Sequence, residues 1–215
     1  MTKKQENGTG KYFTSSRVPS LIIFDLDRTL WYPEMDSLFG ASFQKHPETG
    51  VVTDNFGAPV RLFTDVHQVL HEIATNPIFQ STKIAVASST IFPERALECM
   101  RLVDVVVNPR EIEYDEMQTD NNDFMRKNTG DPEQTYCSRQ RSSLDSYIRY
   151  KAIYPKNKKT HFEQLQQESG VPYEEMLFFD NEFRNIRDVK SLGVKCAYCP
   201  NGLDFDIWLQ GMNQF

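Results

Sequence analysis

Five short apolar runs alternate with helix-patterned segments along this chain, and that alternation constrains the fold more than any other feature. The runs are Leu21 to Asp25, Lys83 to Ala87, Val103 to Val107, Met176 to Phe179 and Val194 to Tyr198. Strands buried on both faces of a parallel sheet read as such runs, and the intervening helices supply the crossovers. Right-handed connections then wind an α/β sheet with helices on both faces.

The helices are predicted from apolar stripes and stop signals. Thr64 to Ala74 carries Val66, Val69, Leu70 and Ile73 on one face, with Thr64 or Asp65 as N-cap. Pro93 to Arg101 opens on a proline that suits a first turn. Lys159 to Ser169 is stopped by Gly170 and Pro172, Arg184 to Leu192 by Gly193, and Leu203 to Asn213 closes the chain. Three stretches depart from this rhythm. Residues 1–19 are polar and read as a flexible tail. Trp31 to Val60 reads as a long loop with a hairpin built from Gly50–Thr53 and Pro59–Leu62, placed to roof whatever lies at the first strand tip. Residues 110–143 are polar, poor in apolar side chains, and read as a disordered insertion within a single domain spanning 20–215.

Ligands bind at the carboxyl ends of parallel strands, and three of the runs end in polar tips. Asp25-Leu26-Asp27 follows the first, Ser88-Ser89-Thr90 the second and Asp180-Asn181 the fourth. In an extended segment Asp25 and Asp27 point to the same side. Two close carboxylates repel, which calls for a cation between them. Hard oxygens suit Mg²⁺, which usually brings a phosphate. A lone D-x-D can simply end a strand in a solvated turn. Lys158, just ahead of a predicted helix, adds a cation to the convergent set and completes a pocket suited to Mg²⁺ and phosphate.

Charge and composition exclude other classes. The net charge of −6 lacks the basic footprint of a nucleic-acid binder or an anionic-membrane binder. No apolar run is long enough to span a bilayer, and Met-Thr-Lys-Lys-Gln is not a signal peptide, so a cytoplasmic or nuclear protein is expected. Four cysteines occur, and Cys196-Ala-Tyr-Cys199 lacks a second ligand pair for zinc, so the thiols read as packing residues. His67 and His71, four apart with Glu72 alongside, read as helix packing or surface for want of a third ligand.

The order of the tips resembles the four motifs of the haloacid dehalogenase (HAD) superfamily, and the wording narrows it to the magnesium-dependent phosphatase family. Phe24-Asp-Leu-Asp-Arg-Thr-Leu-Trp31 is similar to the family's F-D-L-D-x-T-L-W, and Ala87-Ser-Ser-Thr90 to its A-S-R-T. Ile153 to Leu165 is similar to the segment carrying the third-motif lysine, and Phe178 to Ile186 to F-F-D-D-E-x-R-N-I. The C-terminal Asn201-Gly202 and Gln210 to Phe215 also resemble that family's end.

This resemblance implies a Rossmann-like, essentially capless HAD fold with five parallel strands in the order 5-4-1-2-3, and a monomer with an open site. It implies a Mg²⁺-dependent phosphomonoesterase. Asp25 would be the nucleophile that forms an aspartyl-phosphate, and Asp27 the acid that protonates the leaving oxygen and then activates water. Asp25, Asp27 through its backbone carbonyl, Asp180 and Asn181 would form the metal set. Ser88, Ser89, Thr29 and Lys158 would form the phosphate and substrate set, Thr29 chiefly by bracing the first loop. Two departures bear on activity. Ser89 stands where close relatives carry an arginine, and Asn181 where they carry a second aspartate, which implies altered substrate preference and weaker Mg²⁺ binding.

The implied substrates are phosphotyrosine or phosphorylated sugars of the fructosamine-phosphate type, on a small molecule or a phosphoprotein. Two other readings stand beside this one. The Asp-Asn pair also resembles polymerase-tail protein serine phosphatases. The two departures also suit a weakly active or inactive HAD-fold module that binds phosphate or protein. Asp27 argues against dehalogenase chemistry, because a halide leaves without a proton.

Overall fold

The computed structural model describes residues 17–106 and 141–215. Strand β1 (Leu21–Phe24) is followed by four short strands, β2 (Trp31–Tyr32), β3 (Gln44–Lys45), β4 (Val52–Thr53) and β5 (Pro59–Leu62). Helix α1 (Thr64–Thr75), β6 (Lys83–Ser88), α2 (Pro93–Leu102) and β7 (Asp104–Val106) come next. The described chain resumes with β8 (Arg141–Ser143), a helical turn at Leu144–Tyr147, and β9 (Tyr150–Ile153). Helix α3 (Lys158–Ser169), β10 (Met176–Asp180), α4 (Phe183–Lys190), β11 (Lys195–Tyr198) and α5 (Phe205–Met212) complete it.

The main sheet has five parallel strands in the order β11-β10-β1-β6-β9, as the α/β reading requires. Successive residues of β1 face opposite sides. Ile22 and Phe24 join the core under α1 and α5, while Leu21 and Ile23 join Phe162, Leu165 and Phe178 on the other face.

One strand assignment needs correction. Of the run Val103 to Val107, expected as the third sheet strand, the described residues 103–106 lie outside the main sheet. Its residues 104–106 pair antiparallel with Arg141–Ser143. The third strand of the sheet is Tyr150–Ile153, beside β6 at the edge. An edge strand needs no continuous apolar run, and Lys151 and Tyr150 disguise this one. The expected order 5-4-1-2-3 therefore holds with a different third member. Residues 141–143 of the expected insertion form β8, and the rest of that call, up to residue 140, lies outside the described residues. So does the tail call for residues 1–16. Residues 17–19 are docked on the domain, where Pro19 O accepts the Thr82 hydroxyl at 2.8 Å and Arg17 pairs with Glu175.

Strands β2 to β5 form a small antiparallel sheet in the order β2-β5-β4-β3, which contains the expected hairpin with Val52 opposite Val60. Helix α2 anchors this roof. Arg95 Nη1 donates to Leu38 O at 2.9 Å, and Glu98 accepts the Phe43 N–H at 3.2 Å. Neither Thr64 nor Asp65 caps α1. Phe63 is the N-cap residue, and Asp65 Oδ2 accepts the Phe205 N–H of α5 at 2.8 Å.

Candidate active site

The first loop folds back on its own strand. Beyond Asp25, whose N–H bonds Phe179 O at 2.9 Å, Arg28 adopts φ +56°. This left-handed conformation lets the Arg28 N–H reach Trp31 O at 2.8 Å, while the Leu30 N–H bonds Leu26 O at 2.9 Å. The turn holds Asp27 beside Trp31, whose Nε1 donates to Asp27 Oδ1 at 2.7 Å. The Met35 N–H adds a second bond to that oxygen at 3.1 Å.

Lys158 opens α3 and reaches between strand tips. Asn157 caps the helix through the Thr160 N–H, which fixes where the lysine emerges. The Lys158 ammonium donates to Asp25 Oδ1 and to Ala87 O, and lies 3.4 Å from Asp180 Oδ2. It is 2% exposed, so these contacts replace its water. Burial alone would lower its pKa, but the Asp25 and Asp180 carboxylates outweigh burial and hold it above the usual lysine value.

Asp180 sits behind the wall of the site at 0% exposure. Its Oδ1 accepts the Glu182 N–H, and Asn185 Nδ2 donates to both of its oxygens, at 3.2 and 3.0 Å. Burial, reinforced by the charge of Asp25, pushes this carboxyl up to about 7. Burial likewise pushes the Asp27 carboxyl up to about 6, with Asp25 adding to the rise and the Trp31 bond opposing it. A group poised there holds or releases a proton near neutral pH.

A cavity of about 350 Å³ opens over these tips. Six residues expected in the site line it together: Asp25, Asp27, Ser88, Ser89, Lys158 and Asn181. Ser88 is buried at the end of β6, and Ser89 is exposed. Thr29 and Asp180 do not line the cavity. Thr29 is fully buried and accepts the Asn181 N–H at 3.0 Å, with Asn181 Oδ1 3.4 Å from its hydroxyl, so it braces Asn181 from behind.

Several lining residues escaped the sequence reading. Glu34 and Asp36 come down from the roof, Ile91 stands beyond the second tip, and Glu182 and Asn185 follow the fourth. The last two lie inside the quoted Phe178–Ile186 segment, so their place next to Asp180 was the available signal. Glu34 and Asp36 are placed by the fold-back, which no local pattern announces. Among the described residues the lining carries five carboxylates, those of Asp25, Asp27, Glu34, Asp36 and Glu182, against the one ammonium of Lys158. His67 is buried packing, its Nδ1 accepting the Val106 N–H at 3.0 Å. Cys99, Cys196 and Cys199 are free thiols, and burial raises all three well above the usual thiol value.

A hard cation fits this donor set. Asp25, Asp27 and Asn181, which line the same cavity, offer carboxylate and amide oxygens. Among the described residues no group of three or more His, Cys, Asp or Glu side chains is placed to hold a metal. Mg²⁺ keeps several waters and takes one or two carboxylates plus substrate phosphate, a set that the oxygens of Asp25, Asp27 and Asn181 could supply. Asp180 is spent on Lys158, Asn185 and the Glu182 N–H. Among the described residues no helix is long and apolar enough to cross a membrane.

A family model described as Acid Phosphatase matches residues 17–215. Magnesium-dependent phosphatase 1 from Homo sapiens is 33% identical over 202 residues, covering 93% of this chain and 89% of that protein. A HAD-like hydrolase superfamily protein of Schizosaccharomyces pombe is 28% identical over 177 residues, covering 82% of this chain and 83% of that protein. The phosphatase-containing N-terminal part of the Bacteroides fragilis protein BF1531, solved with Mg, aligns with a TM-score of 0.43 at 15% identity, covering 83% of this chain and 35% of that one.

Proposed function

The chain belongs to the acid phosphatase family, and on that premise we propose that it is a Mg²⁺-dependent phosphomonoesterase working through an aspartyl-phosphate on Asp25. The observation that carries the reading is the pairing of Asp25 with the buried Lys158 at the floor of the cavity that Asp27 also lines. Lys158 occupies Oδ1 of Asp25, which leaves Oδ2 as the attacking oxygen. Its ammonium also offsets the repulsion between the incoming phosphate and the carboxylates. Asp27 gives its proton to the leaving oxygen and then draws one from the water that cleaves the phosphoenzyme. Ser88 donates its hydroxyl to a phosphoryl oxygen. Thr29 holds Asn181 at the wall.

Mg²⁺, held by the Asp25 carboxylate, the Asp27 backbone carbonyl and the Asn181 side chain, would neutralise phosphate charge. As substrates we propose phosphotyrosine or phosphorylated sugars of the fructosamine-phosphate type. The exposed Ser89, in place of an arginine, leaves room beside the phosphate site. The Asp180-Asn181 pair favours one second reading, a protein serine phosphatase of the polymerase-tail type.

The test is phosphate release from aryl, tyrosine, serine and sugar phosphates, in Mg²⁺ or in EDTA. Release that requires Mg²⁺ is expected, and the preferred ester identifies the substrate class. Release on none of them above the EDTA control would count against the reading and favour a phosphate-binding module.

A further inference from the structure

We propose that Trp31 is a positioning residue that fixes which oxygen of Asp27 handles the proton. The inference rests on the reading of Asp27 as the acid and base. Two N–H donors converge on Asp27 Oδ1, Trp31 Nε1 at 2.7 Å and Met35 N at 3.1 Å. An oxygen that accepts two N–H bonds has no free lone pair directed at a proton. The acid proton therefore resides on Oδ2.

The donor is rigid. Trp31 is 0% exposed, part of the main core, and paired opposite Leu62 in the roof sheet. Met35 opens the next turn of the same roof segment. The roof thus closes on the acid that precedes it in the chain and sets its rotamer. The second tryptophan of the chain shows that a buried indole can find its acceptor elsewhere. Trp208 Nε1 donates to Glu72 at 3.0 Å, a residue that does not line the cavity.

In the first half-reaction Asp25 Oδ2 bonds to phosphorus as the ester P–O bond breaks, the electron pair stays on the leaving oxygen, and that oxygen takes the proton from Asp27 Oδ2. In the second, water bonds to phosphorus as the Asp25 Oδ2–P bond breaks and its electron pair returns to the Asp25 carboxylate, while the water gives a proton to Asp27 Oδ2, which restores the acid. The ester and one water become alcohol and phosphate. A weakly basic leaving group needs no proton, so loss of positioning costs most for a strongly basic one.

The experiment compares wild type with Trp31→Phe on an electron-poor aryl phosphate and on an alkyl phosphate, both in Mg²⁺. On the alkyl ester kcat/KM is expected to fall roughly tenfold to a hundredfold, since one charge-assisted hydrogen bond is lost. On the aryl ester kcat/KM, which does not include hydrolysis of the phosphoenzyme, is expected to stay within about threefold. Equal losses on both esters would overturn the inference and leave Trp31 as packing. Wild type that turns over neither ester would overturn the phosphatase reading and this inference with it.

Trp31→Phe also hollows the core, so a second measurement avoids that variant. The two tryptophans give two indole N–H signals in a ¹⁵N-labelled sample. Asp27→Ala is expected to shift one, and Glu72→Gln the other. An Asp27→Ala spectrum with both signals unmoved would also overturn the inference.

Discussion

Lys158 Nζ lies 3.4 Å from Asp180 Oδ2 while it also binds Asp25, so the first residue of α3 ties together the tips of two neighbouring strands. Removing that cation strands two buried carboxylates. Lys158→Met is expected to destabilise the fold by about 3 kcal/mol, the order found when a buried ion pair loses one partner. The double variant Asp25→Asn/Lys158→Met should lose less than Lys158→Met alone. Urea unfolding of wild type, both single variants and the double variant measures this, and a double variant as unstable as the sum of the singles would contradict the pairing.

Asn181, proposed as a metal ligand, is uncharged where close relatives are expected to carry a carboxylate. Asn181→Asp should tighten Mg²⁺ binding by roughly tenfold or more, since it adds a charge at contact distance. The Thr29 hydroxyl that accepts the Asn181 N–H keeps the backbone in place in either variant. Calorimetric titration of Mg²⁺ into both proteins checks it, and equal affinities would remove Asn181 from the metal set.

With Ser89 in place, Lys158 faces five carboxylates as the one cation among the described residues of the cavity lining. Ser89→Arg restores a forked donor next to the phosphate site. KM for a small phosphomonoester is expected to fall about tenfold, one charge-assisted contact's worth. Steady-state kinetics on wild type and variant decide it, and an unchanged KM would place residue 89 outside the substrate path.

His67 gives the fold a pH dependence away from the site. Burial lowers its pKa from the usual 6.5 to about 4, because protonation would charge a buried ring and break its bond from the Val106 N–H. Between those values the unfolded chain binds the proton and the native one does not. This contribution is therefore complete above pH 6.5 and is lost as pH falls toward 4, about 3 kcal/mol in all. Burial lowers His161 in the same direction. Unfolding free energies measured across that window should fall less steeply for His67→Asn than for wild type.

Much of the fold and part of the site could be read from the residues, for reasons that differ by element. Strands β1, β6 and β10 are apolar runs buried on both faces, and their period-free hydrophobicity announced them, while β11, at the other edge of the sheet, is only half-buried. Strand β9 did not announce itself because an edge position tolerates Tyr150 and Lys151. The Val103 run instead covers the core from outside the sheet, through buried Val103 and Val105.

At the site, residues at strand ends were legible because topology gathers them. Asp180 and Asn181 were read together as metal ligands, yet neighbours in an extended segment face opposite ways, and only Asn181 lines the cavity. Glu34, Asp36 and the Trp31 bond to Asp27 depend on a turn with Arg28 at positive φ, which an arginine codon does not advertise.

The most direct test of the aspartyl-phosphate reading is to trap the phosphoenzyme. Asp27→Asn, which lacks the base for its hydrolysis, would be mixed with an electron-poor aryl phosphate and Mg²⁺, quenched in acid and digested for mass spectrometry. One phosphoryl group on the peptide containing Asp25, absent from Asp25→Asn/Asp27→Asn and removed by hydroxylamine, is expected. Phosphate release by the wild type with no phosphoryl group ever found on Asp25 would contradict it.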